Sequence, residues 1–278
     1  MDFTQHFSGK TCVITGAGSG IGRALALALS KAGAHLALSD INENSLAETK
    51  SLLGPSNKVM IDRLDVANAD AIAAYAEHVK AAIGNADYVF NVAGIARVGS
   101  FDESPLSSFE TVMNVNLYGV VRMSKAFLGQ LKETKGGLVN ISSIFGMIGF
   151  PGQAEYCAAK FAVRGFSETL ATEMEPHGVS VTSVHPGGVA TNIARSAKVD
   201  VMPANGRTRE EMDAEFDKAA ITTADQAAKI ILTGTAKGKR RVIVGKDAKL
   251  VQLIQRLFPE NYFKVLSKLK PGTTDLLK

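Results

Sequence analysis

Residues 10–32 read KTCVITGAGSGIGRALALALSKA, and this stretch decides the fold class. Lys10–Thr15 ends in an apolar, β-branched run and predicts a strand. Ile21–Ala32 carries leucine and alanine at helical spacing and predicts a helix. Between them stands TGAGSGIG, Thr15–Gly22. Its glycines allow a tight turn and a close approach to the backbone. The helix that follows presents orphan N–H groups and the positive end of its dipole, which suits a pyrophosphate. The strict G-x-G-x-x-G spacing is not met, because position 21 is isoleucine; Gly16, Gly20 and Gly22 stand, with Gly18 between.

The same rhythm continues outward. Strand patterns at 35–39, 59–64, 88–92, 138–142, 179–184 and 241–244 alternate with helical patterns at 45–53, 69–83, 106–131, 154–175 and 224–235. Short apolar strands separated by longer amphipathic helices predict a parallel sheet covered on both faces, with right-handed crossovers. The expected architecture is one α/β domain, a doubly wound parallel sheet of the Rossmann type, spanning 1–246. Residues 247–278 form a helical extension. The stretch 187–221 carries few strand or helix signals and is expected to be a long functional connection.

Composition bounds the rest. Of 278 residues, 46% are hydrophobic and 21% charged, which is ordinary for a globular protein. The start, MDFTQHFSGK, lacks a basic region followed by an apolar core, so a cytoplasmic location is expected. Two cysteines give no disulfide framework, and Cys12 reads as a core residue. Five histidines show no paired ligand spacing, so no metal site is expected. The net charge is +4, with basic residues gathered late at Lys237, Lys239, Arg240, Arg241, Lys246 and Lys249. No aromatic residues interleave with them, so nucleic-acid binding is not expected.

Two further places carry chemistry. Asp40 ends the second strand, HLALSD, twenty residues past Gly20. An acid there can bond both ribose hydroxyls and repel a 2′-phosphate, which favours NAD over NADP; the competing reading is a helix cap. In SIFGMIGFPGQAEYCAAK, residues 143–160, Tyr156 and Lys160 lie one helical turn apart. A nearby ammonium favours the phenolate and lowers a phenol pKa, giving a general acid/base for an alcohol or carbonyl. In isolation such a pair is more often two surface neighbours. Ser143 offers a hydroxyl at the end of a buried strand.

Taken together, these motifs resemble the short-chain dehydrogenase/reductase family, in its single-domain branch, from about Lys10 to Val244. TGAGSGIG matches the family's TGxxxGxG loop, which implies cofactor contacts at Gly16, Ser19, Gly20, Ile21 and Gly22. Asp65 and Val66 match the pair that approaches the adenine. NVAG, 91–94, matches NNAG and adds Asn91, Ala93 and Gly94; Val92 departs from the pattern, and altered hydrogen bonding is expected there. HPGGVAT, 185–191, matches PGxxxT and adds Pro186, Gly187, Val189 and Thr191, the last two toward the carboxamide. Asn116, Ser143, Tyr156 and Lys160 match the catalytic set. The resemblance implies that Tyr156 moves the proton, that Ser143 binds the substrate oxygen and that Lys160 holds the nicotinamide ribose. Asn116 would hold a water, while Asn114 is expected to be structural and Arg23 to be a surface helix residue. A homotetramer or homodimer is implied, through the helices that carry Asn116 and Tyr156.

The expected pocket walls include Met147, Ile148, Phe150, Val189, Ile193 and Met202. They favour a hydrophobic secondary alcohol or its ketone. Arg97 and Arg195 offer a lesser alternative, a carboxylate-bearing substrate. A non-catalytic nucleotide-binding sensor or scaffold on the same fold is the competing function, and the intact catalytic set argues against it. Epimerase or dehydratase relatives carry a longer C-terminal domain. The tail repeats apolar residues at helical spacing around Pro259, with Lys249, Arg256, Lys264, Lys268 and Lys270 among them. Packing on protein is the favoured expectation, and contact with an anionic membrane surface the lesser one.

Overall fold

The computed structural model describes residues 2–54, 58–202, 206 and 208–269. Seven parallel strands form the central sheet: β1 (Thr11–Thr15), β2 (His35–Asp40), β3 (Val59–Arg63), β4 (Tyr88–Asn91), β6 (Gly137–Ile141), β7 (Ser180–Pro186) and β11 (Arg241–Val244). Their order is β11-β7-β6-β4-β1-β2-β3. The order reverses between β1 and β4, and a crevice opens beyond the carboxyl ends of strands at such a switch point.

Four two-residue strands lie outside this sheet: β5 (Arg97–Val98) pairs with β9 (Lys198–Val199), and β8 (Val189–Ala190) with β10 (Thr222–Thr223). The helices are α1 (Thr4–Phe7), α2 (Gly20–Lys31), α3 (Glu43–Ser51), α4 (Ala69–Ala82), α5 (Leu106–Met113), α6 (Gly119–Thr134), α7 (Ala154–Met174), α8 (Arg209–Ala219), α9 (Ala224–Ala236), α10 (Lys246–Leu257) and α11 (Tyr262–Leu269).

Side chains alternate across a strand, so β1 feeds two cores. Cys12 and Ile14 join Leu25 and Leu29 of α2 and Ile231 and Leu232 of α9 on one face. Val13 joins Val79 of α4, Met123, Phe127 and Leu131 of α6, and Leu170 and Met174 of α7 on the other. Helices thus cover both faces, as the alternating pattern predicts. No helix among the described residues is long and apolar enough to cross a membrane.

Two differences from the sequence reading bear on the site. The helix expected over 106–131 is interrupted at Asn114–Tyr118 by a π-helical segment, which wraps one residue more per hydrogen-bonded ring and re-aims the side chains on it. The connection 187–221 is not structureless: it holds β8, β9 and α8. The start of α8 is a capping box, in which Thr208 bonds the Glu211 N–H and Glu211 reaches back to the Thr208 N–H.

Candidate active site

The glycine turn is built for close approach. Gly16 has φ +68°, and a Cβ on it would stand 2.8 Å from the Ala93 nitrogen. A Cβ on Gly22 would overlap the Gly16 carbonyl oxygen, so α2 packs directly on the turn. Asp40, at the tip of β2, accepts from the Gly18 N–H at 2.9 Å and from the Asn42 N–H at 3.0 Å. The carboxylate therefore stands beside the glycine turn, where the strand-end position put it.

Arg23 corrects an expectation. It is not a free surface residue: Nη2 donates to the Gly18 carbonyl at 2.6 Å, and the guanidinium also holds Glu48 at 2.7 Å and Thr49 Oγ1 at 3.0 Å. It pins the turn to α3. Its fork is spent on these acceptors, a geometry in which arginine makes several bonds at once.

The loop after β4 is braced from two sides. Thr15 Oγ1 accepts from the N–H groups of Val92 and Ala93 at 3.1 and 3.2 Å. Asn91 Nδ2 donates to Asn140 Oδ1 at 2.8 Å, and Asn140 passes the chain on to Ser167 at 3.0 Å. Bracing at Val92 thus runs through its backbone, because the side chain is apolar and packs on the core. Asp65 accepts from the Ala67 N–H at 2.9 Å and shapes the turn in which Val66 is buried.

Asn116 lies in the π-helical segment and is fully buried. Its Oδ1 accepts from the Ile95 N–H at 2.8 Å and its Nδ2 donates to the Ile95 carbonyl at 2.9 Å. The side-chain amide is thereby committed to the loop that follows Gly94. Asn114 instead accepts from Arg122 at 2.7 Å, and Arg122 donates to the Ala67 carbonyl at 3.1 Å.

Ser143, Tyr156 and Lys160 meet at the carboxyl end of β6. Ser143 caps the short 3-10 turn Ile144–Gly146, its Oγ accepting from the Phe145 N–H at 3.1 Å. Lys160 is buried, and its Nζ donates to the Ile141 carbonyl at 2.9 Å and stands 5.5 Å from the centre of the Tyr156 ring. Burial pushes the Tyr156 phenol up to about 12, with the Ser143 hydroxyl pulling the other way. Burial pushes the Lys160 ammonium down to about 8. Burial disfavours the charged form of each group, which moves the phenol up and the ammonium down.

Sequence reasoning missed His185. It is fully buried on β7, with Nδ1 3.0 Å from the Ser143 carbonyl oxygen and Nε2 3.0 Å from Ser183 Oγ. A carbonyl only accepts, so Nδ1 carries the proton and Nε2 accepts from Ser183. Burial pushes this imidazole down to about 4, so it is neutral at physiological pH. The spacing Ser183-x-His185, two same-face positions on a buried strand, was the available signal.

Beyond β7, Asp247 accepts from the Gly188 N–H at 2.7 Å, which ties α10 to the loop holding Pro186, Gly187, Val189 and Thr191. A Cβ at Gly20 would stand 3.0 Å from Thr191 Cγ2, so that loop closes on the glycine turn. The two candidate carboxylate-binding arginines are both paired. Arg97 holds Asp200 through two bonds, one of 2.7 Å, and keeps its carboxyl below the usual range. Arg195 holds Asp217 at 2.6 Å on the surface. Of the expected apolar walls, Met147, Ile148 and Val189 are buried, Phe150 stacks on Phe145 at 4.9 Å, and Met202 is exposed.

A family model described as short chain dehydrogenase matches residues 10–202. The chain belongs to the short-chain dehydrogenase/reductase family. It is 47% identical over 270 residues to "Putative oxidoreductase SadH" of Mycobacterium tuberculosis, covering 95% of this chain and 96% of that one. Among solved structures, a short-chain dehydrogenase/reductase from Burkholderia phymatum in complex with NAD superposes with a TM-score of 0.83 at 27% identity, covering 91% and 95% of the two chains. Levodione reductase superposes with a TM-score of 0.76 at 26% identity, covering 88% and 98%. The protein is thus an oxidoreductase of the short-chain type, and its family uses NAD or NADP. The residues present fit such a dinucleotide: the glycine turn opens α2, whose N-cap Ser19 makes no side-chain cap bond and leaves first-turn N–H groups for a phosphate, and the Asp40 carboxylate stands beside it.

Proposed function

We propose that this short-chain enzyme is an NAD-dependent alcohol dehydrogenase or carbonyl reductase that interconverts a hydrophobic secondary alcohol and its ketone in the cytoplasm. The observation that carries the proposal is the meeting of Ser143, Tyr156 and Lys160 at the end of β6, across the sheet's switch point from the glycine turn and Asp40. NAD, when bound, accepts or supplies the hydride. The protein orients the reactants and moves the proton. Tyr156 gives its proton to the carbonyl oxygen in reduction and takes it from the alcohol in oxidation. Ser143 donates a hydrogen bond to the same oxygen. Lys160 binds the nicotinamide ribose and stabilises the phenolate as it forms.

Gly16, Ser19, Gly20, Ile21 and Gly22 cradle the pyrophosphate, and Asp40 binds the adenosine ribose. Asp65 and Val66 would approach the adenine, and Asn91, Ala93 and Gly94 would contact the cofactor. Pro186 and Gly187 would contact the cofactor, and Val189 and Thr191 its carboxamide. Asn116 holds the loop at Ile95 in place, with any water-holding role left to its backbone. Pairing of Arg97 and Arg195 with acids favours an uncharged apolar substrate over a carboxylate. We also assign residues 1–246 to the catalytic domain and 247–278 to a packed helical extension, of which 270–278 lie outside the described residues. Exposed Leu106, Tyr118 and Phe161 support a homo-oligomer through α5 and α7.

The test is a panel of hydrophobic secondary alcohols and ketones with NAD and NADP, followed at the nicotinamide absorbance. Turnover with NAD that vanishes in Tyr156→Phe is expected. Absence of turnover on the whole panel, with NAD still bound, would favour the sensor reading.

A further inference from the structure

The last two helices have two different faces. The inner one is docked: Ala248 and Val251 pack on Ile144, Met147 and Phe145. Tyr262 Oη accepts from the Gly149 N–H at 2.9 Å, and Phe263 meets Phe150 edge-on with ring centres 6.3 Å apart. Phe150 in turn stacks on Phe145, which meets the Tyr156 ring edge-on at 6.3 Å. A series of ring contacts therefore links α11 to Tyr156.

The outer face is uncovered. Leu250, Leu253 and Leu257 are spaced three and four apart, so they share one side of α10. They are 51%, 53% and 62% exposed, and Phe258 and Leu269 extend the apolar surface. Lys246, Lys249 and Arg256 are exposed along the same helix, and Lys264 and Lys268 along α11. Against these five cations stand two acids between 246 and 269, Asp247 and Glu260. Asp247 turns inward to the Gly188 N–H, which leaves Glu260 as the exposed one. An apolar stripe edged by cations matches the headgroups and outer acyl layer of an anionic bilayer.

We propose that the outer face of α10–α11 docks this protein on anionic lipid membrane surfaces. Docking stands on the surface itself; delivery of a lipophilic alcohol or ketone from the bilayer to Tyr156 rests on the function proposed above. The single sign of the charge around the stripe points to a bilayer rather than a second copy of this chain, since a self-complementary interface would bring those cations into repulsion.

The test is flotation of the full-length protein with phosphatidylcholine vesicles, with and without phosphatidylglycerol, at low and high salt. Co-flotation is expected with the anionic vesicles only, weakened at least tenfold by high salt. Leu253→Ser/Leu257→Ser and Lys249→Glu/Arg256→Glu should each reduce it at least tenfold while retaining NAD binding and the thermal transition. No flotation at low salt would overturn the proposal, as would flotation that these variants leave unchanged. A dimer in sedimentation that Leu253→Ser/Leu257→Ser dissociates would assign the face to a second copy instead. Because flotation needs no turnover, failure of the proposed reaction leaves the docking test standing.

Discussion

The ionisation of Tyr156 is a measurable consequence of the way the site is built. Burial pushes its phenol to about 12, and about 5 powers of ten then separate it from ionisation at neutral pH, or about 7 kcal/mol. The Lys160 ammonium stands 5.5 Å from the ring centre. At an effective dielectric of ~20, two unit charges roughly 5 Å apart attract by about 3 kcal/mol, roughly two powers of ten. Even that full attraction leaves the phenol protonated at neutral pH. Lys160, pushed down to about 8, also begins to lose its charge just above neutrality. The sign follows directly. Ketone reduction needs the phenol and should be nearly independent of pH from about 6 to about 8. Alcohol oxidation needs the proton removed and should rise about tenfold per pH unit over that range, flattening once the Tyr156–Lys160 pair has lost one proton. The assay pairs initial rates in both directions with an ultraviolet tyrosinate titration of the enzyme alone, wild type minus Tyr156→Phe. A tyrosinate signal assignable to Tyr156 near neutral pH would refute the reasoning and show that the ammonium outweighs burial.

Other outcomes follow from the same contacts. Tyr156→Phe should lower kcat by about a hundred- to ten-thousand-fold with little change in NAD affinity by calorimetry, since only the proton carrier is removed. Asp40→Ala removes a charged ribose acceptor worth about 1.5–3 kcal/mol, so the NAD Kd should rise at least ~10-fold while NADP binding improves or stays level; a wild-type enzyme that prefers NADP would contradict the role given to Asp40. His185 is held neutral by burial, at about 4 against an ordinary 6.5, so the unfolded chain takes up its proton first as pH falls. Stability should therefore drop by about 2 kcal/mol between neutrality and about pH 5, and urea unfolding of His185→Asn should lack that part of the loss. Tyr262→Phe removes the bond to the Gly149 N–H and should raise KM for bulky substrates several-fold, with kcat for the smallest substrates kept.

The fold was legible because hydrophobic period is a local property. Each strand of the sheet is a short apolar run, and each covering helix carries a stripe. What was not legible depends on partners far apart in the chain. The π-helical segment at Asn114–Tyr118 has no signature of composition, and the partner of its Asn116, the Ile95 backbone, lies 21 residues away. Arg23 read as surface because its acceptors, Gly18, Glu48 and Thr49, come together only when α3 folds over the turn. The sign of the Tyr156 shift depended on burial, which a four-residue spacing does not report. Helix α8 was the avoidable miss, since Thr208 and Glu211 stand at capping-box spacing at its start.

About half of the candidate site residues sit on loops, and several of those loops are held by a hydrogen-bonding group from a regular element. Thr15, at the end of β1, holds 92–93; Asn116 holds Ile95; His185, on β7, holds the Ser143 carbonyl; Asp247, in the first turn of α10, holds Gly188. Three of these side chains, Thr15, Asn116 and His185, are buried, so water competes poorly for their bonds. Loops fixed this way need little reordering when reactants bind, and preorganisation is where rate is gained when a cofactor carries the hard chemistry. The Asp247 tether gives this a consequence for the tail. The same helix that exposes Leu250, Leu253 and Leu257 fixes, four residues or fewer from that stripe, the loop that leads to Val189 and Thr191. A force or contact on the outer face of α10 is thus one hydrogen bond away from the loop proposed to hold the cofactor, and Asp247→Asn, which keeps the shape and removes the charge, should alter kcat more than it alters flotation.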